Sequence, residues 1–384
     1  MAGPITFEFQ TIPQEEVRSQ GEALPSVPRR SGVFRIFDVQ GKLILLEKTH
    51  NLAHRIGRFY SEAREALALD LRDITERVEF CRTDSPLETL YLLHSERRRW
   101  FPDTYRTMPT LPRYYLLKIN RRQRFPRLYA ARQIKRGVAY FGPFQRRKDL
   151  ERFKAVVERT FRIRPCHYNI RGNDPYPDCL YFQMRTCSKP CNADIGRRAY
   201  LEDIDDAIRF VQGGETETLS RMLGRIEELA EETRFEEAER LRRKLDRIKR
   251  ARKEYREPYR DIWSFDFVAI MESGSVRTKK IALILEGHIV TFEEHKVVDI
   301  EETLTLMTRA HRSVKPRAVS PERHYEEFCL VSSFLHRRLE SVQLVPLGDP
   351  AETAAEIAGN LQKAKEKTKR RVAKGAETAE EGDG

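Results

Sequence analysis

The chain has 384 residues, of which 34% are charged and 40% hydrophobic, and it carries a formal net charge of +12. This length exceeds what one compact core usually needs and predicts two or three domains. The positive charge fits a protein that meets a polyanion, with nucleic acid as the first candidate; an acidic partner protein, a membrane surface or solubility alone would produce the same excess. No apolar run approaches the roughly 18 to 20 residues that cross a bilayer. The N-terminus has no basic region followed by an apolar one, so we expect a cytoplasmic protein.

The first 111 residues alternate short apolar runs with amphipathic stretches. Residues 1–29 contain scattered Pro, Gly and Glu and predict an extension. Two β-branched runs, SGVFRIF and KLILLEK, flank a turn at Asp38 to Gly41 and predict a β-hairpin. Helices are expected after a cap at residues 49–51, over residues 61–71 and after residues 84–86, with a strand at residues 78–82.

A hairpin with G-V-F and L-L-E-K is followed by N-L-x-x-R on a helix and then by a helix that carries a Glu. The order of these motifs resembles the GIY-YIG nuclease domain that opens UvrC, the endonuclease subunit of bacterial nucleotide excision repair. The resemblance implies that Gly32 and Val33 match the first motif, that Arg55 matches the family's helical Arg, and that Glu88 matches its metal-binding Glu.

Three positions depart from the family pattern. Phe34 and Leu45 stand where the resemblance places the two tyrosines, and Glu47 stands where it places a Gly. Neither Phe nor Leu has a hydroxyl that could position or deprotonate a water. Because a general acid–base group commonly contributes about 10² to 10⁴-fold, we expect DNA cleavage to be lost or much reduced.

Arg55 and Glu88 remain as candidate remnants of the catalytic site. They could bind phosphate and one hydrated Mg²⁺, with Glu88 as the metal ligand. The simpler interpretation is that both are ordinary charges on helix surfaces. In a third interpretation the chain is a working endonuclease with a rearranged site, in which His50 or His54 replaces the missing base.

Residues 112–144 are dense in basic and aromatic residues and nearly free of acidic ones. Alternating apolar residues at 115–119 and 128–130 predict a hairpin with arginines in its turn. Such a segment can neutralise phosphates and stack on unpaired bases, whereas the alternative is a solvated turn with structural tyrosines. The YFGPF stretch at 140–144 also resembles UvrC, and a helix is expected at residues 147–161. The residues that we expect to contact DNA are Lys48, Arg55, Arg121, Arg122, Arg124 and Arg127.

Four of the six cysteines lie in one short segment with the spacing C-x12-C-x7-C-x3-C; they are Cys166, Cys179, Cys187 and Cys191. In a reducing compartment such cysteines hold a metal or remain free thiols. Structural zinc usually shows two close cysteine pairs, which favours an iron–sulfur cluster here and leaves zinc as the alternative. The block also resembles UvrC, and this resemblance implies a [4Fe–4S] cluster. Cys81 and Cys329 lie in apolar surroundings and are interpreted as core residues.

Residues 215–255 predict a pair of amphipathic helices with a turn at Thr233 and Arg234. The FEEAERLR stretch resembles the UVR motif, and this resemblance implies that a UvrB-like protein binds the hairpin. The residues expected to bind this partner are Phe235, Ala238, Leu241 and Leu245. The alternative is a helical hairpin that packs on its own domain.

The last third of the chain resembles the β-rich segment that follows the UVR hairpin in UvrC. Strands are predicted between residues 258 and 299, helices at 300–312 and 322–339, and an apolar run at 342–347. Residues 349–384 are rich in Ala, Lys and Glu and predict a disordered charged tail. The RNase H-like and helix–hairpin–helix domains of the family are not expected in this chain.

Together these patterns predict an α+β multidomain protein. The expected domains are an extension (1–29), a degenerate GIY-YIG nuclease-like domain (30–111), a basic hairpin with the cysteine cluster (112–205), the UVR helical hairpin (206–256), a β-rich domain (257–348) and the tail (349–384). The resemblance implies a DNA-binding protein of nucleotide excision repair that binds UvrB and no longer cuts. The alternatives are the rearranged endonuclease and an iron–sulfur redox sensor that binds nucleic acid.

Overall fold

A computed structural model of the chain describes residues 5–13, 16, 24–61, 74–108, 111–168, 170, 179–192, 194–256, 258–275, 277–299, 302, 306, 319–335 and 342–347. The helices predicted over residues 61–71 and 300–312 fall almost wholly outside these ranges, and the tail from residue 349 falls entirely outside them. None of the helices in the described ranges is long and apolar enough to span a membrane.

The strands in these ranges are β1 (Gln10–Thr11), β2 (Gly32–Asp38), β3 (Leu43–Thr49), β4 (Thr75–Arg82), β5 (Tyr115–Ile119), β6 (Leu128–Ala131), β7 (Ala139–Phe144), β8 (Arg260–Asp261), β9 (Phe267–Glu272), β10 (Thr278–Leu285), β11 (His288–Lys296) and β12 (Val342–Pro346). The α-helices are α1 (Leu52–Ser61), α2 (Pro86–Trp100), α3 (Arg147–Phe161), α4 (Leu180–Gln183), α5 (Arg197–Gln212), α6 (Glu215–Glu231), α7 (Phe235–Glu254) and α8 (Pro321–Leu335). The mixture of separate helices and antiparallel sheets agrees with the predicted α+β class.

The chain divides into two compact units. The first unit comprises residues 1–112, 266–318 and 330–384, and the second comprises residues 113–265 and 319–329. The first unit is therefore discontinuous in sequence. The finer domain boundaries given above stay predictions.

The first unit contains two antiparallel sheets, with strand orders β1-β4-β2-β3 and β11-β10-β9-β12. The predicted β2–β3 hairpin is confirmed: Asp38 Oδ1 accepts hydrogen bonds from the N–H groups of Gln40 (2.9 Å) and Lys42 (2.8 Å). Gly41 has a φ of +73°, which a glycine adopts without strain. The turn residues thus support the pairing of β2 with β3, while β4 pairs with the other edge of β2.

Helix α1 covers one face of this first sheet. The Asn51 side chain caps the helix, since its Oδ1 accepts a hydrogen bond from the N–H of His54 at 3.1 Å. Leu52 and Ile56 are fully buried in a cluster that includes Phe34, which is also fully buried. Phe34 therefore acts as a packing residue at the position where the resemblance expects a tyrosine.

The second unit packs helices on a small sheet with the strand order β6-β5-β7-β8. Its core joins strand residues such as Leu117 to Phe153 of α3, Phe210 of α5 and Ile248 of α7. The predicted helix over residues 147–161 is confirmed by α3, and the predicted helical hairpin is confirmed by α6 and α7. The hairpin turn contains Thr233, whose φ is +59°.

Candidate nucleic-acid interface and cysteine cluster

The turn of the β5–β6 hairpin presents arginines to solvent. Asn120 shapes the turn, because its Oδ1 accepts a hydrogen bond from the N–H of Arg122 at 3.1 Å. Arg122 and Arg124 are exposed, and the guanidinium of Arg122 lies over Gly137. Arg121 is also exposed but pairs with Asp205 of α5 at 2.7 Å, which partly neutralises its charge. Arg122 and Arg124 are therefore the better candidates for contacts with phosphates.

Arg127, also expected to contact DNA, instead connects the hairpin to the cysteine segment. Its Nη1 donates to the carbonyl oxygen of Cys166 (3.3 Å) and to Nδ1 of His167 (2.6 Å). Its guanidinium carbon lies 4.1 Å from the centre of the Tyr129 ring. Burial raises the pKa of Tyr129, but hydrogen bonds from Gln123 and Arg127 and nearby positive charge outweigh burial and lower that pKa. Arg127 is thus committed to internal contacts.

The four clustered cysteines lie in one neighbourhood as free thiols. Cys187 and Cys191 are buried, whereas Cys166 and Cys179 are half-buried. Burial raises the pKa of Cys187 to about 12; the N–H of Lys189 opposes this effect, and the charges of the other three cysteines add to it. The other three cysteines therefore lie within electrostatic reach of Cys187.

Two buried side chains, Arg164 and Tyr200, hold the first cysteine beside the hairpin. Arg164, only 5% exposed, donates from Nε to the carbonyl oxygen of Phe125 (2.9 Å) and from Nη1 to that of Tyr168 (2.7 Å). The hydroxyl of Tyr200 donates to the carbonyl oxygen of Pro126 at 2.7 Å. Arg164 opens the R-P-C stretch that resembles UvrC, but only the fold reveals that its side chain and that of Tyr200 bind carbonyl groups of the hairpin.

Cysteine thiols are the type of ligand that an iron–sulfur cluster or zinc takes. Thiolate ligands are commonly held by hydrogen bonds to sulfur, and Cys187 Sγ accepts one from the N–H of Lys189 at 3.3 Å. Arg164 Nη1 donates to Cys166 Sγ at 3.6 Å. No group of three or more His, Cys, Asp or Glu side chains in the described ranges is arranged to hold a metal ion. The cofactor therefore stays a prediction from the donor set.

A cluster of apolar side chains is exposed between the second and third cysteines of the segment. Leu180 and Met184 are 63% and 61% exposed, and Tyr181 is 43% exposed. The segment from residue 179 to residue 192 contains Arg185 and Lys189 but no acidic residue. The cysteine segment thus combines exposed apolar groups with positive charge.

In the first unit, Arg55 is engaged by an acid from the neighbouring strand. Its Nη2 and Nε lie 2.9 Å and 3.1 Å from Oε2 of Glu47, at the position where the resemblance expects a Gly. The pair is about one-third exposed. Lys48, His50 and His54 are exposed nearby in sequence. Arg55 is therefore a counterion of Glu47 rather than a free anion-binding group.

Glu88 is buried, so the interpretation of this residue as a helix-surface charge is wrong. It is 4% exposed, and its N–H donates to the capping Ser85 Oγ at 3.1 Å. Its Oε1 accepts from Lys280 Nζ at 2.6 Å and its Oε2 accepts from the N–H of Asp84 at 2.8 Å. The Mg²⁺ predicted at Glu88 does not fit this arrangement, because both oxygens are already engaged.

The helical hairpin packs on its own unit, as the alternative interpretation expected. Ala238 and Leu245 are buried in the core of the second unit, and Leu241 is partly buried against it. Lys244 Nζ lies 2.6 Å from Oδ1 of Asp203 in α5, which adds a polar attachment. Phe235 is 66% exposed. Of the four residues expected to bind a partner, Phe235 is the one whose side chain is accessible.

Comparison with known proteins found similarity over most of the chain. The profile of the family described as "UvrC/Cho excinuclease, middle domain" matches residues 114–210. The UvrABC system protein C of Anaeromyxobacter sp. (strain Fw109-5) is 28% identical over 295 residues, which cover 74% of this chain and 41% of the relative. The protein of the same name from Treponema denticola is 24% identical over 352 residues, which cover 87% of this chain and 52% of the relative.

A third relative, the UvrABC system protein C of Thermoanaerobacter sp. (strain X514), is 25% identical over 73% of this chain and 46% of its own length. The chain thus spans about half the length of the curated relatives that it matches. No solved structure matches it. The basic β5–β6 hairpin and the cysteine segment both lie inside residues 114–210, which match the UvrC/Cho excinuclease middle domain, and most of the chain is similar to UvrABC system protein C.

Proposed function

We propose that this protein is a DNA-binding component of nucleotide excision repair that binds a UvrB-like partner and has little or no GIY-YIG cleavage activity. The observation that carries the proposal is the exposed arginine turn, which is attached to the cysteine segment within the region that matches the UvrC/Cho middle domain. The names of the relatives support the repair role, because each is a UvrABC system protein C.

The β5–β6 hairpin provides the charges and rings that nucleic acid requires. Arg122 and Arg124 are exposed at its tip, and the guanidinium carbon of Arg132 lies 3.8 Å from the centre of the Tyr115 ring. Exposed guanidinium groups neutralise phosphates and release counterions, while aromatic and guanidinium planes stack on bases. The internal contacts of Arg127 and Arg164 keep this surface in a fixed position relative to the first cysteine.

The loss of cleavage is supported by the first unit. Phe34 is fully buried and has no hydroxyl, and Arg55 is paired with Glu47. The buried carboxylate of Glu88 is engaged by Lys280. A GIY-YIG reaction of the kind that the resemblance implies needs a water-activating hydroxyl, a free cation for phosphate and a metal-binding acid. None of these three groups is available among the matched positions.

A gel-shift and incision assay with a duplex that carries one bulky adduct tests the proposal. With purified protein, UvrB and Mg²⁺ we expect a protein–DNA complex, a slower complex that contains UvrB, and no nick above the no-protein background. Failure to bind DNA under low salt would contradict the whole proposal. A nick that disappears in His54→Ala or Arg55→Ala would instead show that the rearranged endonuclease is correct.

A further inference from the structure

The half-buried side chain of Lys280 bridges two parts of the first unit that are 192 residues apart in sequence. Its ammonium group in β10 lies 2.6 Å from Glu88 Oε1 and 3.0 Å from Asp84 Oδ2, at the start of α2. The three side chains are 17%, 5% and 11% exposed. A largely enclosed ammonium group thus lies between two carboxylates.

Every oxygen of the two carboxylates already has a donor. Glu88 Oε2 accepts from the N–H of Asp84 at 2.8 Å, and Asp84 Oδ1 accepts from Arg82 Nη2 at 2.8 Å. The remaining two oxygens contact Lys280. Mg²⁺ and Mn²⁺ require free oxygen ligands together with coordinated waters. Such an ion could reach these carboxylates only if the ammonium left the site.

The local structure holds the two carboxylates in this position. Ser85 caps α2, and its hydroxyl donates to Met271 Sδ in β9 at 3.1 Å. The hydroxyl groups of Thr83 and Thr89 lie 2.6 Å apart beneath the cap. The cap therefore contacts β9 as well as β10, and the carboxylates cannot turn outward without breaking buried contacts.

The charge states agree with a permanent ion pair. Burial lowers the pKa of Lys280, but hydrogen bonds and charges from Glu88 and Asp84 outweigh burial and raise that pKa above its ordinary value. Burial raises the pKa of Asp84, but Arg82 and Lys280 outweigh it and lower that pKa. Lys280 is therefore protonated and Asp84 ionised at neutral pH.

We infer that Lys280 is the resident cation of the Asp84–Glu88 carboxylate pair. Its ammonium group takes the position of a divalent metal, so the two carboxylates bind no Mg²⁺ or Mn²⁺. The same ion pairs connect β10 to the start of α2. This inference does not depend on DNA binding. It disagrees with the metal role that the family resemblance gives to Glu88.

Titration with Mn²⁺, followed by calorimetry and by the melting temperature, tests the inference. Wild-type protein and Glu88→Gln should bind the same amount of Mn²⁺, because no Mn²⁺ site of the wild type depends on Glu88. Lys280→Met should melt at a lower temperature and should gain one Mn²⁺ site that raises its melting temperature again. The double variant Lys280→Met/Glu88→Gln should lack that site.

Lys279→Met provides the matched control. Lys279 lies next to Lys280 in β10 and pairs with the exposed Glu272 at 2.7 Å, so its loss should change neither Mn²⁺ binding nor the melting temperature appreciably. Equal melting temperatures for the two lysine variants, or a folded Lys280→Met that gains no Mn²⁺ site, would overturn the inference. If Lys280→Met does not fold, the Mn²⁺ titrations of the wild type and of Glu88→Gln are compared instead. A Mn²⁺ site that the wild type has and Glu88→Gln lacks would also overturn the inference.

Discussion

Among the four clustered cysteines, Cys187 is the most enclosed, with 3% of its surface exposed. A thiol in that position contacts solvent least of the four. In the proposed iron–sulfur site its sulfur would be a ligand that no water or exogenous thiol easily replaces. Its removal should therefore affect the cofactor more than removal of a half-buried ligand.

We predict that Cys187→Ser removes bound iron from the protein. Anaerobically purified wild type should contain iron and acid-labile sulfide with a broad visible absorption, and the variant should lose all three because serine is a poor ligand for the cluster. Cys81→Ser is the control, since Cys81 is a buried cysteine of the first unit and should leave the iron content unchanged. Zinc in place of iron would show that the cluster prediction is wrong.

At the scale of secondary-structure elements, the α6–α7 hairpin has two unlike surfaces. One is fixed to the second unit through Leu245, Ala251 and the Lys244 contacts with Asp203 and Asp206. The other is open near the turn, where Phe235 begins α7. A partner protein can therefore contact the hairpin near its turn, whereas the surface of the hairpin that is buried in the second unit stabilises the fold.

Phe235→Ala should weaken UvrB binding by about tenfold or more without a change in melting temperature, because an exposed aromatic is a common binding anchor. Leu245→Ala should instead lower the free energy of unfolding by about 2 to 5 kcal/mol through a cavity in the core. Arg243→Ala, an exposed change on the same helix, is the control for surface effects. Unchanged UvrB affinity in Phe235→Ala would show that the turn is not the binding surface.

At the scale of the whole molecule, the net charge of +12 should produce strongly salt-dependent DNA binding. Exchanging Arg122 and Arg124 together for Ser should make the slope of log K against log[salt] less steep by about 1.5, since each phosphate contact contributes about 0.7 to 0.9. Arg198→Ser/Arg243→Ser removes the same charge from exposed helical ion pairs and should leave the slope nearly unchanged. If the slope of log K against log[salt] is the same for the two double variants, the hairpin turn does not contact DNA.

Local signals in the sequence predicted most elements of the fold. The Asp38 to Gly41 turn, the Asn51 cap and the helix over residues 147–161 each depend on neighbouring residues, so the sequence displays them directly. The Glu88–Lys280 pair could not be predicted in this way, because the two residues are separated by 192 residues and no local pattern around either one indicates its partner. The same limit applies to Arg164, whose role depends on carbonyl groups from two separate loops.

The discontinuity of the first unit has a consequence for the order in which the protein folds during synthesis. The carboxylate of Glu88 emerges from the ribosome long before Lys280, and most of the second unit, residues 113–265, is made in between. A growing chain tends to fold each domain as it is completed. Residues 113–265 can thus assemble their helices and sheet early, whereas Glu88 has no Lys280 as its counterion until β10 has been translated.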